Sequence, residues 1–567
     1  MITIQDTWER VFDGPSREEI EGLLPAFLTS SRWFGGKAKT IRSARFSDVL
    51  RVNMDAATMV LGFVEVSYGE GAVETYTVPM TAAFGQKADR IRRDHANAVI
   101  GSLNVVGPQG CQEGLLYDAL WNEDCAYSLL NSMGRRAQFQ GRSGTLVASA
   151  TPLFDDIPIS QTTAPVSVMK AEQSNTSVKF GNRVIMKLYR RAEPGVNPEL
   201  EIGRTLTTRR FRHSPALVGA LEYTHEGDEP ITLALAQTFI PNQGNAWEYT
   251  LSELSRYFDG VSHLNPGLAY PDPSAIRMLN SPPARADLFF GYLDAAHLLG
   301  RRTAELHLVL GEGSRDPAFA PETCPSSYLK SRVNAMCLSA TRALTLLRGR
   351  LSMLSASDQE QGRQVLKQEP AILARLGGLI TVPPTAMRIR CHGDYHLGQV
   401  LYTGHDFVII DYEGEPARPL AERRAKHIPV VDLAGMIRSF HYATHMALRQ
   451  YHEIHPTKRE VRELEPWAHH WYQSVRAAYL TGYRTVAGRA SFCPQSRQDF
   501  NILLDVHVLE KAIYELTYEL NNRPDWVAIP LGGILQSFDA SAASSDYGDR
   551  ADRVEDENDP CSSEQPR

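Results

Sequence analysis

The chain lacks several features that would have placed it in other classes of protein. No run of apolar residues approaches the roughly 18 that a membrane-spanning helix needs. The seven cysteines are scattered without a C-x-x-C pair, which argues against both a zinc site and a disulfide framework. The N-terminal stretch MITIQDTWERVFDGPSREEI is mixed and acidic, without the basic-then-apolar layout of a signal peptide. We therefore expect a cytoplasmic protein that has no membrane partner.

An excess of positive charge is also missing. The formal net charge is −7, and residues 539–567 contribute most of it through nine acids against three arginines. The rest of the chain is close to neutral, whereas a protein that binds nucleic acid needs a basic stripe. No nucleic-acid partner is expected. The C-terminal 29 residues are polar and nearly free of large apolar side chains, so we predict a disordered acidic tail.

The most informative stretch runs from Cys391 to Pro416, where two acids flank a predicted strand hairpin. His392-Gly-Asp394 is followed by Gln399, and Asp411 follows the apolar run Phe407 to Ile410. Phosphoryl transfer needs a carboxylate to orient the attacking hydroxyl and oxygen ligands to hold Mg²⁺ against the phosphates. Kinases meet these needs with H-x-D, an amide five positions after the Asp, and a second Asp after a strand. The stretch supplies all three in order.

The alternative interpretation is that Asp394 and Asp411 are ordinary solvated loop carboxylates. The predicted strands Val400–Tyr402 and Phe407–Ile410 argue against it, because they place both acids where a sheet ends. Gln399 departs from the Asn of protein kinases, but its amide oxygen can still bind a hard cation.

Residues 166–241 predict a small antiparallel sheet with one helix. Lys187 lies in the apolar strand Val184–Tyr189, where its burial requires an opposite charge. In a kinase N-lobe the partners are the ATP phosphates and a helix glutamate. The helix that Asn197 caps offers Glu201 as the first choice for that ion pair and Glu199 as the second.

Two segments of the same region are candidates for nucleotide contacts. The polar loop 173–177 occupies the place of a phosphate-covering loop but has no glycine, so the hydroxyls of Ser174, Thr176 and Ser177 would serve instead. Thr238, Phe239 and Ile240 precede a predicted hinge, and their order in the chain places their backbone groups against the adenine. From Trp247 onward the chain is predicted to be mainly helical, with Asp432 capping one of the helices.

Five motifs give the chain a family resemblance. HGDYHLGQVL, IDYEGEP, VDLAGMIRSFHYA and LEKAIYELTYELNNRPDW resemble bacterial maltokinases, which are members of the aminoglycoside-phosphotransferase-like kinase group, and SRWFGGKAK resembles their N-terminal cap subdomain. The resemblance implies an α+β, bilobal protein-kinase-like fold. It further implies a cap subdomain at 1–155, a β-rich nucleotide-binding N-lobe at 156–241, a mainly helical C-lobe at 242–538 and the tail at 539–567.

The resemblance also implies an activity and roles for the residues that match the motifs. Enzymes of the family transfer the γ-phosphoryl group of ATP to the anomeric hydroxyl of maltose, and maltose 1-phosphate then feeds α-glucan (glycogen) synthesis from trehalose. By position, Asp394 would be the base, Gln399 and Asp411 would hold Mg²⁺, Lys187 would hold the ATP phosphates and Glu201 would hold Lys187. The chain has no trehalose-synthase domain, so a complex would involve a separate protein.

The acceptor sugar is the open question at this level. His392, Arg438, Tyr442, Tyr514 and Tyr518 are the candidate sugar contacts, and this chain has His441 where related helices usually carry Asp. One rival is a kinase of another sugar or of an amino sugar such as glucosamine. The other rival is a nucleotide-binding regulatory module without catalysis, against which the intact set of Lys187, Asp394, Gln399 and Asp411 argues.

Overall fold

The protein is described by a computed structural model that covers residues 1–538 except 55–56, 70, 109, 159–164, 170–173, 263–287, 312–315, 382–386 and 456–460. The predicted tail therefore lies outside the described residues. The chain divides into two compact units. The first comprises Met1–Pro241 with Pro416–Arg423, and the second comprises Asn242–Glu415 with Arg424–Arg567.

The first unit begins with a six-stranded sheet in the order β1-β5-β6-β4-β3-β2, antiparallel except where β1 pairs with β5. Its strands are β1 (Ile2–Gln5), β2 (Ile41–Met54), β3 (Ala57–Tyr68), β4 (Val73–Phe84), β5 (Val99–Gly107) and β6 (Gly110–Asp118). The helices beside it are α1 (Pro15–Glu21), α2 (Leu24–Ser30), α3 (Gly85–Asp94) and α4 (Glu123–Gly134). Period-2 alternation predicts β3 and the start of β4 correctly.

A second, seven-stranded sheet has the order β7-β8-β12-β13-β11-β10-β9 and is antiparallel throughout. Its strands are β7 (Gln138–Gln140), β8 (Gly144–Ala150), β9 (Val166–Val168), β10 (Asn175–Phe180), β11 (Val184–Tyr189), β12 (Leu217–His225) and β13 (Ile231–Thr238), with helices α5 (Leu153–Asp156) and α6 (Pro198–Thr208). The predicted hairpin across Gly181-Asn182 is confirmed as the β10–β11 pair.

The two sheets of this unit share one hydrophobic core. Leu61 and Phe63 of β3 pack in the same buried cluster as Met186 and Leu188 of β11. Side chains alternate between the faces of a strand, so the opposite face of β11 carries Lys187 and Tyr189. That second face packs with α6, where Tyr189 and Leu200 belong to a separate cluster. The seven-stranded sheet thus has two chemically different sides.

The second unit is mainly helical, as the sequence predicts. Its elements are α7 (Ala246–Ser262), α8 (Tyr292–Gly311), β14 (Glu322–Thr323), α9 (Ser326–Arg350), α10 (Ala356–Lys367), α11 (Glu369–Gly377), β15 (Met387–Arg388), β16 (Val400–Tyr402), β17 (Phe407–Ile409), α13 (Val430–Ile454), α14 (Val461–Ala487) and α15 (Arg497–Asn522). The short helix α12 (Leu420–Arg423) belongs to the first unit. No helix among the described residues combines the length and apolar character needed to cross a membrane.

Candidate active site

Lys187 lies at the centre of the candidate groups in the first unit. Its ammonium Nζ is 3.0 Å from Oε2 of Glu199, and the two side chains are 11% and 3% exposed. The hydroxyl of Tyr189 donates a second hydrogen bond, of 2.8 Å, to the same carboxylate oxygen. A buried lysine is tolerated because this anion compensates its charge. The strand therefore holds a cation in a fixed position on the α6 side of the sheet.

The helix acid that contacts Lys187 is Glu199, so the first choice of Glu201 for this pair was wrong. Asn197 caps α6, and its Oδ1 accepts from the backbone N–H of Glu199 at 2.8 Å. Successive helical residues are rotated by about 100°, so Glu201 leaves the helix roughly 200° around from Glu199. Only the rotation of the packed helix against the sheet decides which of the two acids meets the strand.

The predicted phosphate-loop hydroxyls do not share one face of β10. Ser177 is directly opposite Lys187 in the β10–β11 register, so its side chain lies on the Lys187 side. Thr176 is on the other side, where its hydroxyl accepts a 2.8 Å hydrogen bond from Nε of Arg190. The expectation that Thr176 contacts phosphate is therefore wrong, because strand alternation turns it away. Ser174 is exposed and follows residues 170–173, which are not described.

The segment Thr238–Ile240 uses part of its backbone within the sheet. The N–H of Thr238 donates to the carbonyl of Ala216 at 2.9 Å, and the N–H of Phe239 donates to the carbonyl of Arg183 at 2.7 Å. These two donors are therefore engaged and do not serve adenine. A contact from Ile240 stays a prediction.

In the second unit, His392 braces the loop at 392–398, which carries Asp394 and is called the catalytic loop after its motif. The prediction that His392 contacts the sugar is wrong, because its ring nitrogens are engaged within the protein. Its side chain is buried, and its Nε2 lies 2.9 Å from the carbonyl oxygen of Ile410, which fixes Nε2 as the donor. Its Nδ1 then accepts from the N–H of Asp394 at 3.4 Å. Both ring nitrogens are engaged. The histidine thereby ties the residue that precedes Asp411 to the loop that carries Asp394.

Asp432 is a second brace, and the sequence interpretation assigned it the wrong role. Helix α13 begins at Val430, so Asp432 lies in the first turn and is not the cap. Its carboxylate accepts from the N–H of His392 at 2.8 Å and the N–H of Gly393 at 3.0 Å, and it lies 3.0 Å from Nε2 of His307. Burial opposes its charge, but the hydrogen bonds and the neighbouring histidines lower the pKa of Asp432 below its usual value.

Two glycines allow the loop and the helix to come this close. Gly393 has a φ of +84°, a conformation that residues with a Cβ rarely adopt. A Cβ at Gly435 of α13 would lie 2.5 Å from the carbonyl oxygen of Tyr395. The glycines of HGD and VDLAG therefore have a shared structural purpose: they let a loop backbone pack directly on a helix.

Asp394 has a cation beside it that the motif did not reveal. Nζ of Lys511, on α15, is 3.8 Å from Oδ1 of Asp394 and 3.6 Å from Oε2 of Glu415. Nε2 of His396 lies 4.0 Å from the other oxygen of Asp394. Lys511 is about 120 residues away in the chain, and a lysine on a mixed helix face carries no distinguishing signal. The Asp394 side chain is 20% exposed, so it remains accessible to a substrate.

The predicted metal ligands flank the hairpin of β16 and β17, whose existence is confirmed. Gln399 immediately precedes β16, and the N–H of Ile410 donates to its carbonyl at 3.0 Å. Asp411 has a φ of +64°, which is strained for a residue with a side chain and is typical of functional positions. A carboxylate oxygen of Asp411 lies within 4.8 Å of one from Glu413. The two neighbouring carboxylates suit a hard cation such as Mg²⁺, and a contribution from the Gln399 amide stays a prediction.

The candidate sugar contacts on the helices occupy different environments. Arg438 is buried and bound by Glu515, with Nε 2.8 Å from Oε2. The hydroxyl of Tyr442 donates to Glu519 at 3.1 Å, while Tyr518 is 45% exposed. Nζ of Lys511, which lies beside Asp394, is 4.8 Å from the ring centroid of Tyr514. Arg438 and Tyr442 thus belong to a helix-packing network, and sugar contact by any of the four stays a prediction.

His441 neighbours that network. Its Nδ1 accepts from Nη1 of Arg438 at 3.2 Å, and its ring lies 4.5 Å from the ring of His445. Burial lowers the pKa of His441 far below its usual value, and the charge of Arg438 lowers it further. The residue is therefore neutral at physiological pH, where an aspartate in its place would carry a negative charge.

Comparison with known proteins adds a family model, sequence relatives and solved structures. Residues 27–121 match the model described as the maltokinase N-terminal cap domain. Glucosamine kinase of Streptacidiphilus jiangxiensis is 23% identical over 368 residues, which cover 63% of this chain and 70% of the relative. Glucosamine kinase of Mycolicibacterium smegmatis is 24% identical over 373 residues, which cover 65% and 79%.

A solved structure of a glucosamine kinase in complex with glucosamine, ADP and inorganic phosphate covers 91% of this chain and 98% of its own. Its TM-score is 0.59 at 17% sequence identity. A match at this identity establishes the fold. The predicted α+β, protein-kinase-like architecture with an N-terminal cap is confirmed, and the chain is similar to maltokinases in its cap segment and to glucosamine kinases over most of its length.

Proposed function

We propose that the protein is an ATP-dependent maltokinase, which transfers the γ-phosphoryl group of ATP to the anomeric hydroxyl of maltose and yields maltose 1-phosphate. The observation that carries the choice of maltose is the match of residues 27–121 to the maltokinase N-terminal cap domain. The sequence motifs around Asp394 and Asp411 carry the phosphotransferase chemistry.

The nucleotide would be held by groups that are fixed before it binds. Lys187, oriented by Glu199, would contact the phosphates. Asp411 and Gln399 would hold Mg²⁺, with Glu413 beside Asp411, because their oxygens form the donor set that this ion prefers. When bound, the ion neutralises negative charge on the phosphates. The strained backbone of Asp411 positions its carboxylate for that purpose.

Asp394 would orient the acceptor hydroxyl and take its proton as the phosphoryl group is transferred. Asp432 and His392 hold the loop backbone on either side of it, so the carboxylate keeps one position. Such preorganisation matters because the protein contributes mainly positioning and electrostatics to phosphoryl transfer.

Lys511 favours a neutral sugar over an amino sugar. An ammonium-bearing acceptor would need acidic groups beside the transferred hydroxyl. The proposed base Asp394 and the neighbouring acid Glu415 already share Nζ of Lys511. A second cation beside it would be repelled. Related helices usually carry an aspartate where this chain has the neutral His441, so this part of α13 lacks a negative charge that would attract an ammonium group.

Glucosamine is the second candidate acceptor, because the two sequence relatives and the solved structure described above are glucosamine kinases. The test is a phosphorylation assay on maltose, trehalose and glucosamine with the site of the product phosphate determined. We expect phosphate on the anomeric oxygen of maltose and none on trehalose, whose anomeric carbons are both in the glycosidic bond. A higher kcat/KM for glucosamine than for maltose, or phosphate only at a non-anomeric hydroxyl, would overturn the proposal.

The Lys511→Gln variant sharpens this test, with Lys511→Arg as its matched control. Removal of the cation should raise the ratio of kcat/KM for glucosamine to that for maltose by about tenfold, the value of a ~1.4 kcal/mol change in relative binding. The arginine variant keeps the charge and should keep the ratio. An unchanged ratio in the glutamine variant would show that Lys511 does not select against a cationic acceptor.

We further propose that the enzyme works in the cytoplasm and supplies maltose 1-phosphate for α-glucan synthesis, beside a separate trehalose synthase. Joint elution of the two purified proteins in size-exclusion chromatography tests the complex. Separate elution at micromolar concentration would contradict it.

A further inference from the structure

A cavity of about 500 Å³ lies within the first unit, apart from the groups assigned above. Its lining comes from the end of α2 and the loop after it, from the segment after α3, from the end of β6, and from β9, β10 and Arg190. Thr176 and Arg190 are in this lining, and strand alternation places them on the face of the sheet opposite Lys187. The cavity is therefore separate from the Lys187–Glu199 pair. Its volume falls in the range of small-molecule sites.

Arg190 is a buried cation in the lining of this cavity. It is 1% exposed, its Nη2 donates to Asp118 at 2.6 Å, and its Nε donates to Thr176 at 2.8 Å. Its Nη1 is buried without a hydrogen-bond partner. A buried donor left unpaired is costly in an otherwise folded protein. The third donor group of the guanidinium is thus unsatisfied among the described residues, on a side chain that lines the cavity.

The charges of the lining favour an anion. Three arginines line the cavity (Arg32, Arg93 and Arg190) against two acids, and both acids are already paired. Asp118 binds Arg190, and Asp94 binds Arg93 with N–O distances of 2.8 and 3.2 Å. Arg32 is exposed at the surface of the same cavity. The positive charge that remains is therefore at Arg32, and the unused donor is at Arg190.

Aromatic walls favour a ligand that also carries a ring. Trp33 and Trp121 both line the cavity, together with His95. The guanidinium of Arg190 lies 4.6 Å from the Trp33 ring centroid, and the His95 and Trp121 rings are 4.2 Å apart. A free inorganic anion would leave most of the volume and these apolar walls without contacts.

We propose that this cavity binds a phosphate ester whose organic part carries a ring, with the phosphate oxygens on Arg190 and Arg32 and the ring against the tryptophans. Arginine suits this task because its planar guanidinium can donate two parallel hydrogen bonds to one phosphate. The cavity lies on the face of the sheet opposite Lys187, so a bound ligand would stabilise the sheet on that opposite face. The inference does not depend on the identity of the acceptor sugar.

The test is calorimetric titration of the full chain with glucose 1-phosphate and with AMP, each alone and each repeated in four variants. Arg32→Gln removes an exposed cation and leaves the core unchanged. Arg190→Lys keeps the charge but removes the fork. Arg92→Gln, on the same helix as Arg93 but outside the lining, is the matched control. Asp394→Asn reports binding of the sugar phosphate at the catalytic loop, and AMP bound beside Lys187 is recognised by its insensitivity to Arg32→Gln.

We expect one of the two esters to bind, with its Kd raised about tenfold by Arg32→Gln, as for the loss of one charge-assisted hydrogen bond. Arg190→Lys should weaken binding at least as much, and its Tm reports whether the variant folds. Arg92→Gln and Asp394→Asn should leave the Kd unchanged. Which ester binds identifies a sugar phosphate or a nucleotide as the source.

Four results would overturn the proposal. The first is that neither ester binds at millimolar concentration, and the second is that binding is insensitive to Arg32→Gln. Binding lost in Asp394→Asn but kept in Arg32→Gln would assign it to the catalytic loop. The last is that inorganic phosphate or neutral maltose binds as tightly as the esters, with the same dependence on Arg32. Tight binding of inorganic phosphate would show that the ring is not recognised, and tight binding of maltose would show that the anion is not recognised.

Discussion

The two units of the protein use a buried carboxylate in different ways. In the first unit, Glu199 holds a side chain, the ammonium of Lys187. In the second unit, Asp432 holds a backbone, through the N–H groups of His392 and Gly393. A side chain can reorient when its partner is removed, whereas a loop that loses its anchor affects the packing around it. We therefore expect function to depend on Glu199 and both function and stability to depend on Asp432.

The largest expected effect is that of Asp394→Asn, which removes the proposed base without touching either anchor. The variant should lower kcat by at least about 10²-fold, the lower end for a general base, and leave ATP affinity nearly intact. Steady-state kinetics and calorimetry with ATP measure the two quantities. Near-normal turnover in the variant would contradict the assignment of Asp394 as the base.

Asp411→Asn should instead act on the nucleotide, although Asp411 belongs to the second unit. It removes a hard anionic ligand, so Mg²⁺-dependent ATP affinity should fall by about tenfold or more. Calorimetry with ATP, with and without Mg²⁺, separates this effect from a general loss of binding. Equal Mg²⁺-dependent affinities in the variant and the wild type would rule out the metal role.

Asp432→Asn should lower stability by ~2 kcal/mol at neutral pH, because a carboxylate that accepts from two N–H groups and a histidine becomes an amide. The folded pKa of Asp432 is lowered from an ordinary value of 3.8. The contribution of Asp432 to the free energy of unfolding is therefore complete above about pH 4, and it is lost as the pH falls through the pKa of the folded state. The difference in Tm between wild type and variant should shrink on acidification, and a difference that is constant with pH would contradict this account.

The smallest effect is expected from Glu199→Gln, compared with Glu201→Gln as a matched control on the same helix. Loss of the anion beside Lys187 should raise KM for ATP by about tenfold, and the control should change it by less than about twofold. Kinetics at saturating maltose measure both. If Glu201→Gln had the larger effect, the pair seen in the structure would not be the functional one.

Local pattern predicted much of this molecule. The β10–β11 and β16–β17 hairpins follow from turn residues between apolar runs, and those signals lie within ten residues of one another. The candidate positions of Asp394, Gln399 and Asp411 follow from one contiguous stretch. The burial of Lys187 beside a helix acid also follows, because a lysine in an apolar strand requires a counter-charge.

Other features could be decided only by the way the elements pack. The rotation of α6 selects Glu199 over Glu201, and the pleat of β10 turns Thr176 away from Lys187. Asp432 and Lys511 contact the catalytic loop from two separate helices, and His307 of a third helix contacts Asp432. No spacing in the sequence predicts these contacts.

The sequence by itself determined which residue types are available and which short segments become strands, turns and helices, because those preferences act over a few residues. The tertiary structure alone decided which charges meet. The pairs Lys187–Glu199, Arg190–Asp118 and Lys511–Asp394 depend on distances of a few ångströms between separate elements. Helix rotation and strand register set those distances, and both are fixed only when the apolar faces pack together.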